Sequence, residues 1–411
     1  MSSYQPETDS EDELPPGWEE RATPGGEVYY ANHLQLSTQW THPRTGKKKT
    51  VSGSLPFGWE RRHLPDDKIL YVNHQEQKTS YIDPRLAFAK EIQDKDDGNQ
   101  GLKDFRQRFD GSSNALQVLH GLDLSKKIAL VTGANSGIGF ETTRSLARSG
   151  CTVILACRDL VKAQASIDKI QKERPWHVGN CKAIHLDLAS LDSVKAFVKD
   201  FINVYDRLDI LILNAGLFGC EPEMTPDDLE VTFQVNYLSH YYLSHLLKTS
   251  LANSAMPKIV VVSSESHRFS QKTDFHNLAT PSNIATHAYN DSKLFALMFA
   301  LHANSEWQRE GIRCIAVHPG NMVSSNLSRH WWLYKLAFNI VRPFMKSLQQ
   351  AAASVIFAAA APEMNFVGGI YINNCFPCQP SPIAQDPECQ RKLWQASQKL
   401  LQDRGHTIHF D

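Results

Sequence analysis

The segment Lys127-Ile128-Ala129-Leu130-Val131-Thr132-Gly133-Ala134-Asn135-Ser136-Gly137-Ile138-Gly139 decides the fold of the larger part of this chain. The apolar run Ile128 to Val131 reads as a buried strand, and it leads directly into three closely spaced glycines. Glycines at such a place let the backbone turn tightly and approach a pyrophosphate, whose charge then lies at the start of the helix predicted over Phe140 to Ser149. A second strand, Thr152 to Ala156, completes a βαβ unit. Further strands over Cys181 to Leu186, Leu208 to Leu213, Lys258 to Val262 and Ile312 to Val317, with helical segments between them, predict an α/β doubly wound parallel sheet.

Chemistry-bearing residues punctuate these strands. Asn214-Ala215-Gly216 closes one strand, Asn236 lies on the following helix, Ser263-Ser264 ends the next strand, and His318-Pro319-Gly320 ends another. Tyr289 and Lys293 stand four apart, so a helix places them on one face, where an ammonium lowers a phenol's pKa from about 10 toward the working pH. Five motifs in order, spanning roughly 124 to 380, resemble the short-chain dehydrogenase/reductase family, whose glycine loop is Thr-Gly-x-x-x-Gly-x-Gly.

That resemblance implies a Rossmann-type domain and a catalytic set of Tyr289, Lys293, Ser264 and Asn236. Tyr289 would give the proton in carbonyl reduction, Ser264 would bind the substrate oxygen, and Asn236 would hold a water linking Lys293 to solvent. The implied cofactor contacts are Gly133, Asn135, Ser136, Gly137, Ile138, Gly139, Asn214, Ala215, Gly216, Tyr289 and Lys293. Asp187 matches the family's adenine contact, with a cap for the helix starting near Leu191 as the alternative. Arg158, directly after the second strand, suits a ribose 2′-phosphate, so NADP is favoured over NAD; Asp159, one residue on, is the competing signal. Trp331, Trp332, Leu333, Tyr334, Leu336, Phe338, Ile340 and Phe344 fall where the family places its substrate lid and point to a lipophilic carbonyl or alcohol, steroid-like or retinoid-like. Cys375 and Cys378 form a lone Cys-x-x-Cys, which gives no framework for a metal, and none is expected.

Toward the N-terminus the texture changes to an internal repeat. Leu14-Pro15-Pro16-Gly17-Trp18-Glu19 recurs as Leu55-Pro56-Phe57-Gly58-Trp59-Glu60, and each copy continues through an Asn-His to a closing proline, Pro43 or Pro84. Short β-rich runs separated by turn residues predict a small three-stranded antiparallel sheet in each copy. Both copies resemble the WW family. The resemblance implies a proline-ring slot between Tyr29 and Trp40, with His33 meeting a ligand tyrosine, and hence partner proteins carrying Pro-Pro-x-Tyr in polyproline II form. In the second copy Leu70 and Tyr81 replace the slot aromatics, which predicts a supporting role. The run Lys47-Lys48-Lys49 reads as a solvated linker, with a nuclear-import signal as the sharper alternative.

The expected domains are therefore 14–47 and 55–88 (WW), a polar tether over 89–123 carrying a short helix at Asn114 to His120, and 124–411 (reductase). A net charge of −1 over 411 residues leaves no basic face for nucleic acid. The eight cysteines lack a disulfide framework, Met1 to Glu13 lacks a secretory pattern, and the longest apolar run, Ala351 to Ala361, is too short to span a membrane, so no transmembrane segment is expected. Two WW units before one reductase domain resemble a known group of signalling oxidoreductases, and that resemblance implies an adaptor for transcription regulators in growth control and apoptosis, cytoplasmic and nuclear with some mitochondrial association. A reductase localised by its WW units and a signalling adaptor with little turnover both remain open readings.

Overall fold

The computed structural model describes residues 14–23, 27–46, 48–51, 55–56, 58–64, 69–74, 77–92, 108–173, 179–221, 223–275, 278, 284–320 and 346–407. The aromatic segment 326–345, expected as a substrate lid, lies outside them. Two compact units divide at Gln100 and Gly101.

In the first unit, strands β1 (Trp18–Ala22), β2 (Val28–Asn32) and β3 (Ser37–Gln39) form one antiparallel sheet. A second, equivalent sheet comprises β5 (Trp59–His63), β6 (Ile69–Asn73) and β7 (Lys78–Ser80), and β4 (Lys48–Thr50) pairs with β8 (Lys90–Ile92). Two residues of the basic run are more than linker: Lys48, exposed, and Lys49 lie in a strand, and Lys49 Nζ pairs with Glu20 Oε1 at 3.2 Å, both of those paired side chains being largely covered, while Lys47 lies outside the described residues. A three-stranded sheet alone buries little, and the first one is completed from outside itself. Val28 and Tyr30 pack with Val51, and Leu86 and Ala89 join Leu14, Trp18 and Ala22 around them. Leu86 belongs to the 3-10 turn Pro84–Phe88, which Asp83 caps by accepting the Arg85 N–H at 2.9 Å.

The second unit is an eight-stranded sheet in the order β11-β10-β9-β12-β13-β14-β15-β16. These strands are β9 (Ile128–Thr132), β10 (Thr152–Cys157), β11 (Cys181–His185), β12 (Ile210–Leu213), β13 (Lys258–Val262), β14 (Arg313–His318), β15 (Ile370–Asn373) and β16 (Phe376–Cys378). All pairings are parallel except β15 with β16. Six of the eight match the expected strands; β15 and β16 were not anticipated. Alternation along each strand divides the interior in two. Leu130, Ile154, Leu211, Leu213 and Val261 face the helices Leu191–Ile202, Ser239–Leu246, Ala285–Trp307 and Pro387–Gln402. Val131, Val153, Leu155, Ile212 and Val260 face Gly137–Arg148, Leu160–Glu173 and Leu348–Ala360.

The stretch expected as a tether is structured at both ends. Its first residues enter β8, and from Arg108 onward it packs on the second unit, where Phe109 meets Phe357 edge-on at 6.0 Å and Asn114 with Gln117 closes a capping box on the short helix Ala115–Val118. Residues 93–107 between them lie outside the described set.

Candidate active site

The order of the strands reverses between β9 and β12, and their carboxyl ends carry Thr132 and Asn214. This is where an open α/β sheet receives its ligand. Thr132 Oγ1 accepts the N–H groups of Asn214 at 2.9 Å and Ala215 at 3.0 Å, while Asn214 Nδ2 donates to Thr132 O at 2.9 Å. The two β-ends are thereby locked side by side. Gly133 (φ +65°) and Gly137 (φ +57°) take the left-handed turns between them and the helix. At Gly139 a Cβ would lie 2.4 Å from Gly133 O and 2.5 Å from Asn214 Nδ2, so only glycine permits this approach. Ser136 caps the helix without a side-chain hydrogen bond, Ser166 Oγ donates to Asn135 O at 3.3 Å, and Ile138 packs against the core beneath. The backbone cradle so formed fits the pyrophosphate of a dinucleotide.

Arg158 follows β10 directly, is exposed, and has no ion pair or hydrogen bond among the described residues. Asp159 is occupied: it accepts the Lys162 N–H at 3.0 Å and pairs with Lys162 Nζ at 2.7 Å, acting as a local cap. At Asp187 the alternative reading fails, because Ser190 caps the helix Leu191–Ile202 by accepting the Ser193 N–H. Asp187 Oδ1 instead accepts from Ala189 N at 3.0 Å, half-exposed beyond the end of β11.

The catalytic candidates converge. The helix Ala285–Trp307 carries Tyr289 and Lys293, and Ser263 Oγ, at the end of β13, donates to Lys293 O at 2.8 Å, anchoring that helix. This bond explains the serine pair: Ser263 is structural, whereas the Ser264 hydroxyl, which accepts the Ser266 N–H at 3.2 Å and donates to Ser266 Oγ at 3.1 Å, stays beside Tyr289 and pulls its phenol pKa down. Lys293 Nζ donates to Val262 O at 2.9 Å and lies 5.6 Å from the centre of the Tyr289 ring. Asn236 sits in a π-helical turn, Gln234–Leu238, a distortion frequent at functional sites. Its Oδ1 accepts from Leu217 N at 2.7 Å, and its Nδ2 donates to Leu217 O and to Ser292 Oγ, both at 3.0 Å. Its amide protons are therefore spent on protein partners, while its oxygen flanks Gly216 together with Lys293 Nζ.

Electrostatics depart from the expectation. Burial pushes the Tyr289 phenol up to about 12, against the opposite pull of the nearby Ser264 hydroxyl, rather than down toward neutrality. Burial also lowers Lys293 to about 8. Desolvation of a fully enclosed pair outweighs the attraction that a helix-face spacing alone predicts.

Tyr29 and Trp40 meet in the first unit at 5.9 Å and 65°, with Trp40 52% exposed. His33 Nε2 lies 2.7 Å from Glu19 Oε2, a partner the sequence reading missed. The repeat held the signal, since His74 and Glu60 form the same pair at 2.6 Å. Phe218, edge-on to Tyr289 at 4.8 Å, and His267 beneath Ser264 were also missed, since no local pattern marks them.

The short chain dehydrogenase family model matches residues 127–332, and the WW domain model matches residues 14–43. The WW domain-containing oxidoreductase of Pongo abelii is 51% identical over 406 residues, covering 97% of this chain and 96% of that protein. Retinol dehydrogenase 12 of Mus musculus is 35% identical over 67% of this chain and 86% of its own length. The crystal structure of an uncharacterized protein from Mycobacterium paratuberculosis superposes with a TM-score of 0.56 at 26% identity, over 70% of this chain and 97% of that one. Oxidoreductases of this fold bind NAD or NADP, in agreement with the glycine cradle. Motifs, fold and near-full-length likeness together place the chain among the WW domain-containing oxidoreductases, within the short-chain dehydrogenase/reductase family.

Proposed function

We propose that the second unit is an NADP-dependent reductase of a lipophilic carbonyl, working reversibly on the alcohol, and that the first WW unit brings it to Pro-Pro-x-Tyr proteins. The observation that carries the enzymatic reading is Lys293 Nζ set 5.6 Å from the centre of the Tyr289 ring, with Ser264 close enough to act on the same phenol. When bound, the nicotinamide supplies or accepts the hydride. Gly133, Gly137 and Gly139 shape the backbone turn that would hold its pyrophosphate, and Asn135, Ser136, Ile138, Asn214, Ala215 and Gly216 line that turn. Asp187 would reach the adenine end. Arg158, exposed and without a partner among the described residues while Asp159 is engaged by Lys162, supports the 2′-phosphate and hence NADP.

In reduction Tyr289 is the proton donor, and its raised pKa keeps the hydroxyl protonated across the physiological range. Ser264 donates to the substrate oxygen and stabilises its gathering charge. Lys293 stabilises the phenolate left behind, with Asn236 fixing the Tyr289 helix through Ser292 and the loop through Leu217. Likeness to a retinol dehydrogenase supports a retinoid as the first substrate to try, with steroids next. The test is NADPH and NADH oxidation by purified protein against retinal and a steroid-ketone panel. No turnover with either cofactor removes the reading.

The adaptor reading is favoured by one observation of its own, the half-exposed Trp40 set against Tyr29. An apolar face open to solvent on so small a sheet is suited to stacking proline rings. Titration with a Pro-Pro-x-Tyr peptide and its Pro-Pro-x-Ala counterpart tests the docking assignment; equal affinities would remove the tyrosine contact given to His33. Roles in growth control and apoptosis would follow from the partners so docked.

A further inference from the structure

Ser264 opens a 3-10 turn, Glu265–Phe269, whose side chains reach the segment 371–381. Tyr371 Oη donates to Glu265 Oε1 at 2.7 Å. Arg268 donates through Nε to Glu265 Oε2 and through Nη2 to Gln379 O, both at 2.6 Å. The third link is His267, fully buried and edge-on to Tyr371 at 5.2 Å. The Ser381 backbone N–H donates to His267 Nε2 at 3.1 Å. A backbone N–H can only donate, so Nε2 is the bare nitrogen and Nδ1 carries the proton. That proton is donated to Ser264 O at 2.7 Å.

The competing role is that of a core histidine satisfying two backbone groups. Two facts favour more than that. Glu265 and Arg268 already tie the turn to the segment 371–381, and the carbonyl that His267 holds belongs to Ser264 itself, whose hydroxyl accepts the Ser266 N–H of the same turn at 3.2 Å. A hydrogen bond to that carbonyl fixes the Ser264–Glu265 peptide and with it the turn whose Ser266 N–H holds Ser264 Oγ at 3.2 Å.

We propose that His267 is a positioning residue, holding Ser264 at the angle needed for its hydroxyl to meet the reacting oxygen, and referring that angle to the backbone at Ser381. This rests on the reductase reading above. Misplacing a reacting group by about an ångström costs about a hundredfold in rate.

The test uses the full chain with NADPH and retinal. His267→Ala should lower kcat about a hundredfold while NADPH affinity, read by fluorescence, stays as in the wild type. His267→Asn, whose amide can donate from the Nδ1 position, should recover to within about tenfold of wild type. Ser381→Pro deletes the donor N–H at a residue whose φ of −63° already suits proline, and it should also lower kcat. Wild-type kcat in His267→Ala, or a loss in that variant that His267→Asn does not relieve, overturns the positioning role. If His267→Ala fails to fold, Ser381→Pro decides, wild-type kcat there being the overturning result. A wild type inactive on retinal and on the steroid panel removes the reductase reading and this role with it; an active wild type with unaffected variants removes this role alone.

Discussion

At the level of single residues, the Tyr289–Lys293 pair sets the pH behaviour. Lys293, lowered to about 8 by burial, carries its charge only below that pH, whereas Tyr289, raised to about 12, stays a proton donor well above it. Carbonyl reduction should therefore be flat below about pH 8 and decline above it as the ammonium is lost, measured as kcat/KM at saturating NADPH. A profile still level at pH 9.5 would show that Lys293 does not set the rate. The same shift has a cost in stability. Between the folded value near 8 and the unfolded value near 10.5 the unfolded chain binds more protons, so stability rises with pH across that window, and below it the full penalty stands. That penalty is about 3 kcal/mol on a linkage basis, so Lys293→Met should raise the thermal midpoint at pH 7 while abolishing turnover. An unchanged or lower midpoint would mean that the bond to Val262 O outweighs the buried charge. Tyr289→Phe should likewise abolish turnover, with NADPH affinity nearly unchanged. Arg158→Asp should weaken NADPH binding and spare NADH, checked by titrating both cofactors.

At the level of elements, the legibility of the sequence followed local chemistry. Strands β9 to β14 were readable because the central ones are buried on both faces and appear as unbroken apolar runs. Strand β15 was hidden because Ile370-Tyr371-Ile372 is short and follows Gly368-Gly369, which reads as a turn. Lys48-Lys49-Thr50 and Lys90-Glu91-Ile92 are charged ribbons with no apolar alternation, and what makes them strands is their pairing across some forty residues. The contact of Leu86 with the first sheet is equally non-local, and it yields a prediction. Leu86→Ala should destabilise the first WW unit by about 1–2 kcal/mol, half-buried leucine being worth less than a fully enclosed one. The measurement is the unfolding midpoint followed through the fluorescence of residues 14–100. No shift would mean that the first sheet stands without the turn Pro84–Phe88.

For the whole molecule, the question is whether recognition and chemistry depend on one another. Each has its own apparatus. The peptide slot of Tyr29, His33 and Trp40 rests on a core that residues within the first unit supply, Val28, Tyr30, Val51 and Leu86. The cofactor cradle and the Ser264–Tyr289–Lys293 set rest on the two layers flanking the eight-stranded sheet. No side chain described for either site is drawn from the other unit. Trp40→Ala should consequently lower affinity for a Pro-Pro-x-Tyr peptide by about ten- to a hundredfold, the stacking of a proline on an aromatic face being worth about 1–3 kcal/mol, and leave NADPH-dependent kcat/KM as in the wild type. Tyr289→Phe should do the reverse, sparing peptide affinity. Full-length protein carrying each substitution, assayed for both properties, separates the outcomes. A fall in turnover in Trp40→Ala, with the fold intact by melting, would show that the two activities are coupled and that the independence read from their separate cores is wrong.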